Sequence, residues 1–212
     1  MAIVVPTVLA STPAEYASML ATAESISKRI HVDVCDGQFA ENKTVGMAHV
    51  YSSEKTEVDL HLMLKDPASE LETALSLKPA LIIFHAESDG NLERMIDQVR
   101  TFGIKAGLAV LSTTSIESAR QLLGKVDHLL VFTGTLGQNG GEFQADQLSR
   151  AQEARAINPG LEVSVDGGVS GSNAALIVRE GVDVLYSGGF LQNSPDPKAA
   201  YESIMAAAGA AA

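Results

Sequence analysis

The chain has 212 residues, 46% of them apolar, which is too apolar for a disordered chain and enough for one sizeable core. Fifteen basic against 26 acidic side chains leave a net charge of -11. That repels nucleic-acid backbones, and with no Trp and 5% aromatics there is little to stack on bases; a small phosphorylated ligand held by backbone amides stays possible. A single cysteine, Cys35, excludes an intrachain disulfide and fits a reducing cytoplasm. The first residues lack the basic and apolar regions of a secretory leader, and no apolar run reaches the roughly 20 residues of a membrane span, so a cytoplasmic protein without membrane contact is expected.

Along the chain, short apolar runs alternate with longer amphipathic stretches. The runs are Ile3–Leu9, Ile30–Val34, Val58–Met63, Leu81–His85, Lys105–Val110, His128–Phe132, Leu161–Asp166 and Asp183–Ser187. Several are apolar at consecutive positions, as strands buried on both faces of a parallel sheet read. Thr12-Pro13-Ala14-Glu15 predicts a capped helix start, and Asp66-Pro67 and Asp196-Pro197 repeat the signal. Ser115 opens another helix, and 91–102 has a period near 3.6. Gly103 and Gly181 each stand between a helix and a strand. Eight strand–helix pairs without a linker predict one domain over 1–212, a closed (βα)8 TIM barrel. The Ala-rich end from about 206 is expected to fray or be disordered. An open doubly wound sheet competes, but no G-x-G-x-x-G follows the first strand.

In such a barrel, chemistry sits at the C-terminal ends of the strands. There the second strand carries His31 and Asp33, two apart and therefore on one side; the third carries His61 and the seventh Asp166. Taken singly, each of these types is more often a hydrogen-bonded core group or a helix cap. Together, two imidazoles and two carboxylates suit one divalent metal ion, Zn, Fe(II), Mn or Co. Glycines cluster after strands six (Gly134, Gly137, Gly140, Gly141), seven (Gly167, Gly168) and eight (Gly188, Gly189), where a backbone can approach a phosphate.

These residues resemble the ribulose-phosphate 3-epimerase family over Pro6 to about Leu191. The stretch from His31 through Asp33, Cys35, Asp36 and Gly37 to Gly46 is similar to the family's H-x-D-x-M-D-G-x-F-x-x-N-x-T-x-G signature. Asp59-Leu-His-Leu-Met63 is similar to D-x-H-L-M, and Val165-Asp-Gly-Gly-Val169 to V-D-G-G-V. The resemblance implies a (βα)8 barrel of the ribulose-phosphate-binding type that interconverts D-ribulose 5-phosphate and D-xylulose 5-phosphate, a step of the pentose phosphate pathway, and that assembles as a homo-oligomer. It implies His31, Asp33, His61 and Asp166 as metal ligands, with Asp33 and Asp166 as the acid/base pair acting through an enediolate. It implies substrate contacts at Thr7, His61, Met63, Gly137, Gln138, Asn139, Gly140, Gly167, Gly168, Gly188 and Gly189. Cys35 and Phe132 replace family methionines, Gly189 replaces a serine, and the loop 134–141 has lost a proline, a phenylalanine and one glycine.

Those departures bear on substrate more than on chemistry, so an epimerase of a hexulose 6-phosphate such as allulose 6-phosphate is the alternative, followed by a phosphosugar-binding homologue with impaired catalysis. A decarboxylase of the same barrel class is disfavoured, because Asp33-Val34-Cys35-Asp36 lacks the lysine of a D-x-K-x-x-D pattern. Asp36 reads as a loop-orienting carboxylate and His85 as a support for the ligands rather than a ligand. His49, on a predicted helix, and His128, at the start of strand six, read as solvated or structural. Cys35 has no basic neighbour to activate it and reads as packing.

Overall fold

Strands that are apolar on both sides must be covered on both sides, and closing the sheet on itself meets that demand without leaving an edge. The computed structural model describes residues 2–134, 136–137 and 142–211. In it eight parallel strands form a closed barrel in chain order. They are β1 (Ile3–Val8), β2 (Arg29–Cys35), β3 (Glu57–Met63), β4 (Leu81–His85), β5 (Lys105–Val110), β6 (His128–Phe132), β7 (Glu162–Asp166) and β8 (Val184–Ser187), with β8 pairing back to β1.

Side chains alternate across this wall. Outward residues such as Ile30, Val32 and Val34 of β2, Leu60 and Leu62 of β3, and Val163 and Val165 of β7 join the main core beneath the helices. Those helices are α1 (Pro13–Ile26), α2 (Leu71–Ser76), α3 (Leu92–Thr101), α4 (Arg120–Leu123), α5 (Ser149–Ile157), α6 (Ala174–Arg179), α7 (Gly189–Gln192) and α8 (Pro197–Gly209). The starts predicted at Thr12 and Asp196 recur: Thr12 and Glu15 form a reciprocal capping box on α1 and Asp196 caps α8, while the periodic stretch 91–102 becomes α3, capped by Asn91. After Ser115 a 3-10 turn, Glu117–Ala119, precedes the four residues of α4. Asp66 starts a 3-10 turn that leads into α2.

Two expectations need correction. Between β2 and β3 the described residues hold a 3-10 turn, Met47–His49, in place of an α-helix, so the strand–helix alternation is incomplete and His49 lies exposed on that turn. The segment is committed to other contacts. Tyr51 packs on Tyr16 of α1, and Thr44 accepts the Cys35 N–H and so holds the chain over the barrel mouth. The Ala-rich end also differs from expectation: α8 continues to Gly209 with Ala208 buried, because small side chains let the helix lie close against its neighbours. No described helix is long and apolar enough to cross a membrane.

Inside the barrel, the N-terminal end is polar. Arg29 of β2 donates to Asp59 of β3 at 2.8 Å and, through both terminal nitrogens, to Glu162 of β7. Tyr186 of β8 donates to Asp59 at 2.7 Å, while His128 of β6 bridges Glu162 (2.9 Å) and Ser164 (2.8 Å). A buried charge is tolerated when it is paired and hydrogen-bonded, and here each carboxylate faces a cation or a donor.

Candidate active site

At the other end of the barrel the register places the chemistry. Asp33 stands directly beside His61, Thr7 beside His31, and Phe132 beside Asp166. His31 and His61 are fully buried, and Asp33 and Asp166 retain 6% and 9% exposure. One ligand atom from each of the four residues lies within 4.8 Å of every other. His31 Nε2 at 3.1 Å and His61 Nδ1 at 2.7 Å both point at Asp33 Oδ1.

Burial alone would discharge these groups, and their neighbours decide the outcome. Burial opposes ionisation of Asp33, but His31 and His61 outweigh it and hold the carboxyl well below the usual carboxylate range. Asp166 goes the other way: burial and the Asp33 charge push it up to about 7, against the pull of His31. Burial also works against the proton on His31, yet Asp33 keeps this imidazole above its ordinary value. In His61 burial prevails over Asp33 and brings it down to about 4.

The donor set fits a divalent cation. Two nitrogens and two carboxylates are a borderline-hard set, and their ligand atoms lie within 4.8 Å of one another, close enough for small side-chain rotations to bring them onto one ion. His31 Nδ1 is buried without a hydrogen-bond partner among the described residues.

Above the cluster opens a cavity of about 270 Å³. Asp33 and Asp166 reach it, whereas His31 and His61 stand behind its wall. Thr7, Met63, Gly137, Gly167, Gly168, Gly188 and Gly189, expected from the sequence, all line it; Gln138, Asn139 and Gly140 lie outside the described residues. The Thr7 hydroxyl is buried with no partner among the described residues. Leu9, Val169, Ser170 and Phe190 were not anticipated, although Ser170 and Phe190 directly follow the flagged glycine segments after β7 and β8. Phe132 forms part of the same wall.

Glycine is required where the loops meet. A Cβ on Gly167, at φ +106, would stand 2.2 Å from the Gly134 nitrogen, so the loops after β6 and β7 touch backbone to backbone. Gly137 carries the first of these loops across the mouth, where its carbonyl accepts from Asn42 at 2.7 Å. Asp36 steers the loop after β2 by accepting from the N–H groups of Gln38, Phe39 and Lys65. Cys35 is buried with its Sγ 3.7 Å from Met63 Sδ, and burial followed by the Asp33 charge raises its thiol, as packing rather than nucleophilic use requires.

Residues 3–191 match the Ribulose-phosphate 3 epimerase family. The chain belongs to that family. It is therefore an isomerase, an enzyme rather than a binding module. The ribulose-phosphate 3-epimerase of Helicobacter pylori (strain 26695) is 30% identical over 200 residues, covering 90% of this chain and 92% of its own. That of Mycobacterium tuberculosis (strain H37Rv) is 30% identical over 216 residues, covering 99% and 94%. Among solved structures, 3-hexulose-6-phosphate synthase from Salmonella typhimurium superposes with a TM-score of 0.75 at 15% identity, covering 99% of this chain and all of that one, and shares the barrel fold.

Proposed function

We propose that this family member interconverts D-ribulose 5-phosphate and D-xylulose 5-phosphate by moving a proton on and off C3. The observation that carries the reading is the pair Asp33 and Asp166, which face one cavity with proton affinities driven in opposite directions. Inversion at a carbon needs one group to take a proton from one face and another to return it to the opposite face. Two carboxylates that reach one cavity, Asp33 held ionised and Asp166 poised near neutrality in the ion-free protein, are equipped for that exchange.

His31, Asp33, His61 and Asp166 would hold the divalent cation, which when bound supplies positive charge to stabilise the enediolate oxygens. The Thr7 hydroxyl, unpartnered and at the cavity wall, would take a substrate oxygen. The glycine-lined side at Gly167, Gly168, Gly188 and Gly189 would take the phosphate, so that binding energy far from C3 holds the reacting carbon between the carboxylates. Phe132 and Phe190 close the remaining wall and limit the length of the sugar chain.

Turnover of D-ribulose 5-phosphate in heavy water, with deuterium appearing at C3, is the expected result. Asp166→Asn should lower that rate by about 10²–10⁴-fold while phosphate-ligand binding persists. Unchanged turnover in the variant would remove Asp166 from the acid/base role. Faster turnover of allulose 6-phosphate by the native chain would move the substrate to the six-carbon class.

A further inference from the structure

Behind His61 lies a second row of polar groups that the proposed proton transfer does not use. His61 Nε2 is 2.8 Å from His85 Nε2, at the end of β4, and the two rings are stacked with centroids 4.9 Å apart. His85 Nδ1 stands 3.5 Å from Glu87 Oε2, at the edge of hydrogen-bonding distance, and neither atom has a well-formed hydrogen bond among the described residues. The other Glu87 oxygen accepts the Leu111 N–H at 3.0 Å, which anchors the carboxylate to the loop after β5. Phe39 covers the His85 ring at 4.6 Å.

Proton counting explains the two orphaned atoms. His61 Nδ1 lies 2.7 Å from Asp33 Oδ1; with that carboxylate oxygen accepting, His61 donates from Nδ1 and is left with a lone pair on Nε2. His85 must then donate from Nε2, leaving a lone pair on Nδ1. That lone pair meets a carboxylate oxygen, two acceptors face to face, and both stay unsatisfied. Presenting the His61 Nδ1 lone pair to a cation reverses every step. The His61 proton sits on Nε2 and donates to His85 Nε2, and the His85 proton sits on Nδ1 and donates to Glu87. No proton enters or leaves the row, and both orphans are satisfied.

We infer that His85 and Glu87 are positioning residues that favour the His61 tautomer able to ligate a cation, so that retention of the ion is set from β4. The inference rests on the metal-site reading above. An imidazole ligand whose far nitrogen is anchored by a carboxylate through a relay is oriented and more basic, and losing such support weakens metal affinity by about 10–100-fold.

Glu87→Gln separates this from a scaffold role. Its amide oxygen can still accept from Leu111, but its NH2 would donate to the His85 Nδ1 lone pair and so stabilise the arrangement that cannot ligate. Zn²⁺ and Co²⁺ affinities would be measured by competition with a chromophoric chelator on the native protein, Glu87→Gln and His85→Phe. The Co²⁺ visible spectrum and the unfolding temperature of the ion-free form would be recorded alongside. Expected are an affinity about 10–100-fold lower in Glu87→Gln, a shifted Co²⁺ spectrum, and an ion-free unfolding temperature equal to or above the native one. Native binding with Glu87→Gln within about twofold would overturn the inference and leave the metal site standing. Parallel loss of affinity and ion-free stability in Glu87→Gln would also overturn it, in favour of a scaffold. Failure of the native protein to bind either ion would bring down the metal-site reading and this inference together.

Discussion

The two ends of the barrel interior both bury carboxylates and histidines, yet they are balanced differently. At the N-terminal end Arg29 supplies a fixed cation, and Asp59, Glu162, His128, Ser164 and Tyr186 close a network around it. Burial disfavours charge on Arg29, but Glu162 and Asp59 outweigh it and raise its affinity for the proton. Among the described residues, no arginine or lysine at the C-terminal rim pairs with His31, Asp33, His61 or Asp166 or lines the cavity above them. Asp33 instead leans on two imidazoles, and Asp166 is driven toward the neutral form by burial and Asp33. Among the described residues, the floor sets Arg29 between two carboxylates and leaves Asp59 Oδ1 as its one buried atom without a hydrogen-bond partner, whereas the rim leaves His31 Nδ1 and the Thr7 hydroxyl without one. Floor and rim are joined by the His31 ring, which lies 3.9 Å from that of Tyr186.

That contrast predicts that floor substitutions act on stability and rim substitutions on turnover. The largest separation should come from setting Asp166→Asn against Asp59→Ala. Asp166→Asn should unfold, free of divalent ions, at the native temperature or above, while its epimerase rate, measured with a divalent ion supplied, collapses. Asp59→Ala strips Arg29 Nε and the Tyr186 hydroxyl of their acceptor and should cost about 3 kcal/mol, at the low end for a broken buried pair because Glu162 still holds Arg29. Denaturant unfolding of the two variants, with kcat measured on the folded fraction, checks both; an Asp166→Asn protein as destabilised as Asp59→Ala would end the distinction.

Tyr186→Phe is a smaller probe. It removes the hydroxyl from Asp59 but keeps the ring beside His31, so about 1–3 kcal/mol of stability should go with kcat within a few-fold. A collapse of kcat would show that the floor reaches the chemistry through that ring.

The smallest expected effect is one of pH. Burial opposes the charge on Glu162, but His128 and Arg29 outweigh it and hold its carboxyl below the usual range. A carboxyl lowered in the folded state contributes stability that is full above its unfolded value, near 4.5, and is lost as pH falls through the folded one. The native protein should therefore lose stability between about pH 5 and pH 2 more steeply than Glu162→Gln. Equal slopes in the two unfolding series would take Glu162 out of the floor's balance.

Much of this molecule was legible from local pattern. Apolar runs marked the strands, and Thr12 and Asp196 marked helix starts, because capping signals and apolar runs are properties of a few adjacent residues. The spacing of His31 and Asp33 put both side chains on one face before any coordinates. The missing helix after β2 was not legible, because the segment is held by Tyr16 of α1, 35 positions before Tyr51, and by the end of β2, whose Cys35 N–H donates to Thr44.

Sequence alone, then, determined which residues face into the barrel, since alternation along a strand is a local rule. Only the tertiary structure decided which of them share a layer. Arg29 meets Glu162 across 133 positions, Tyr186 meets Asp59 across 127, and Asn42 meets Gly137 across 95. Such meetings depend on strand register around the closed wall, and a shift of one residue would turn each inward side chain outward. The division between a floor organised around Arg29 and a rim organised around Asp33 and two imidazoles is a consequence of that closure.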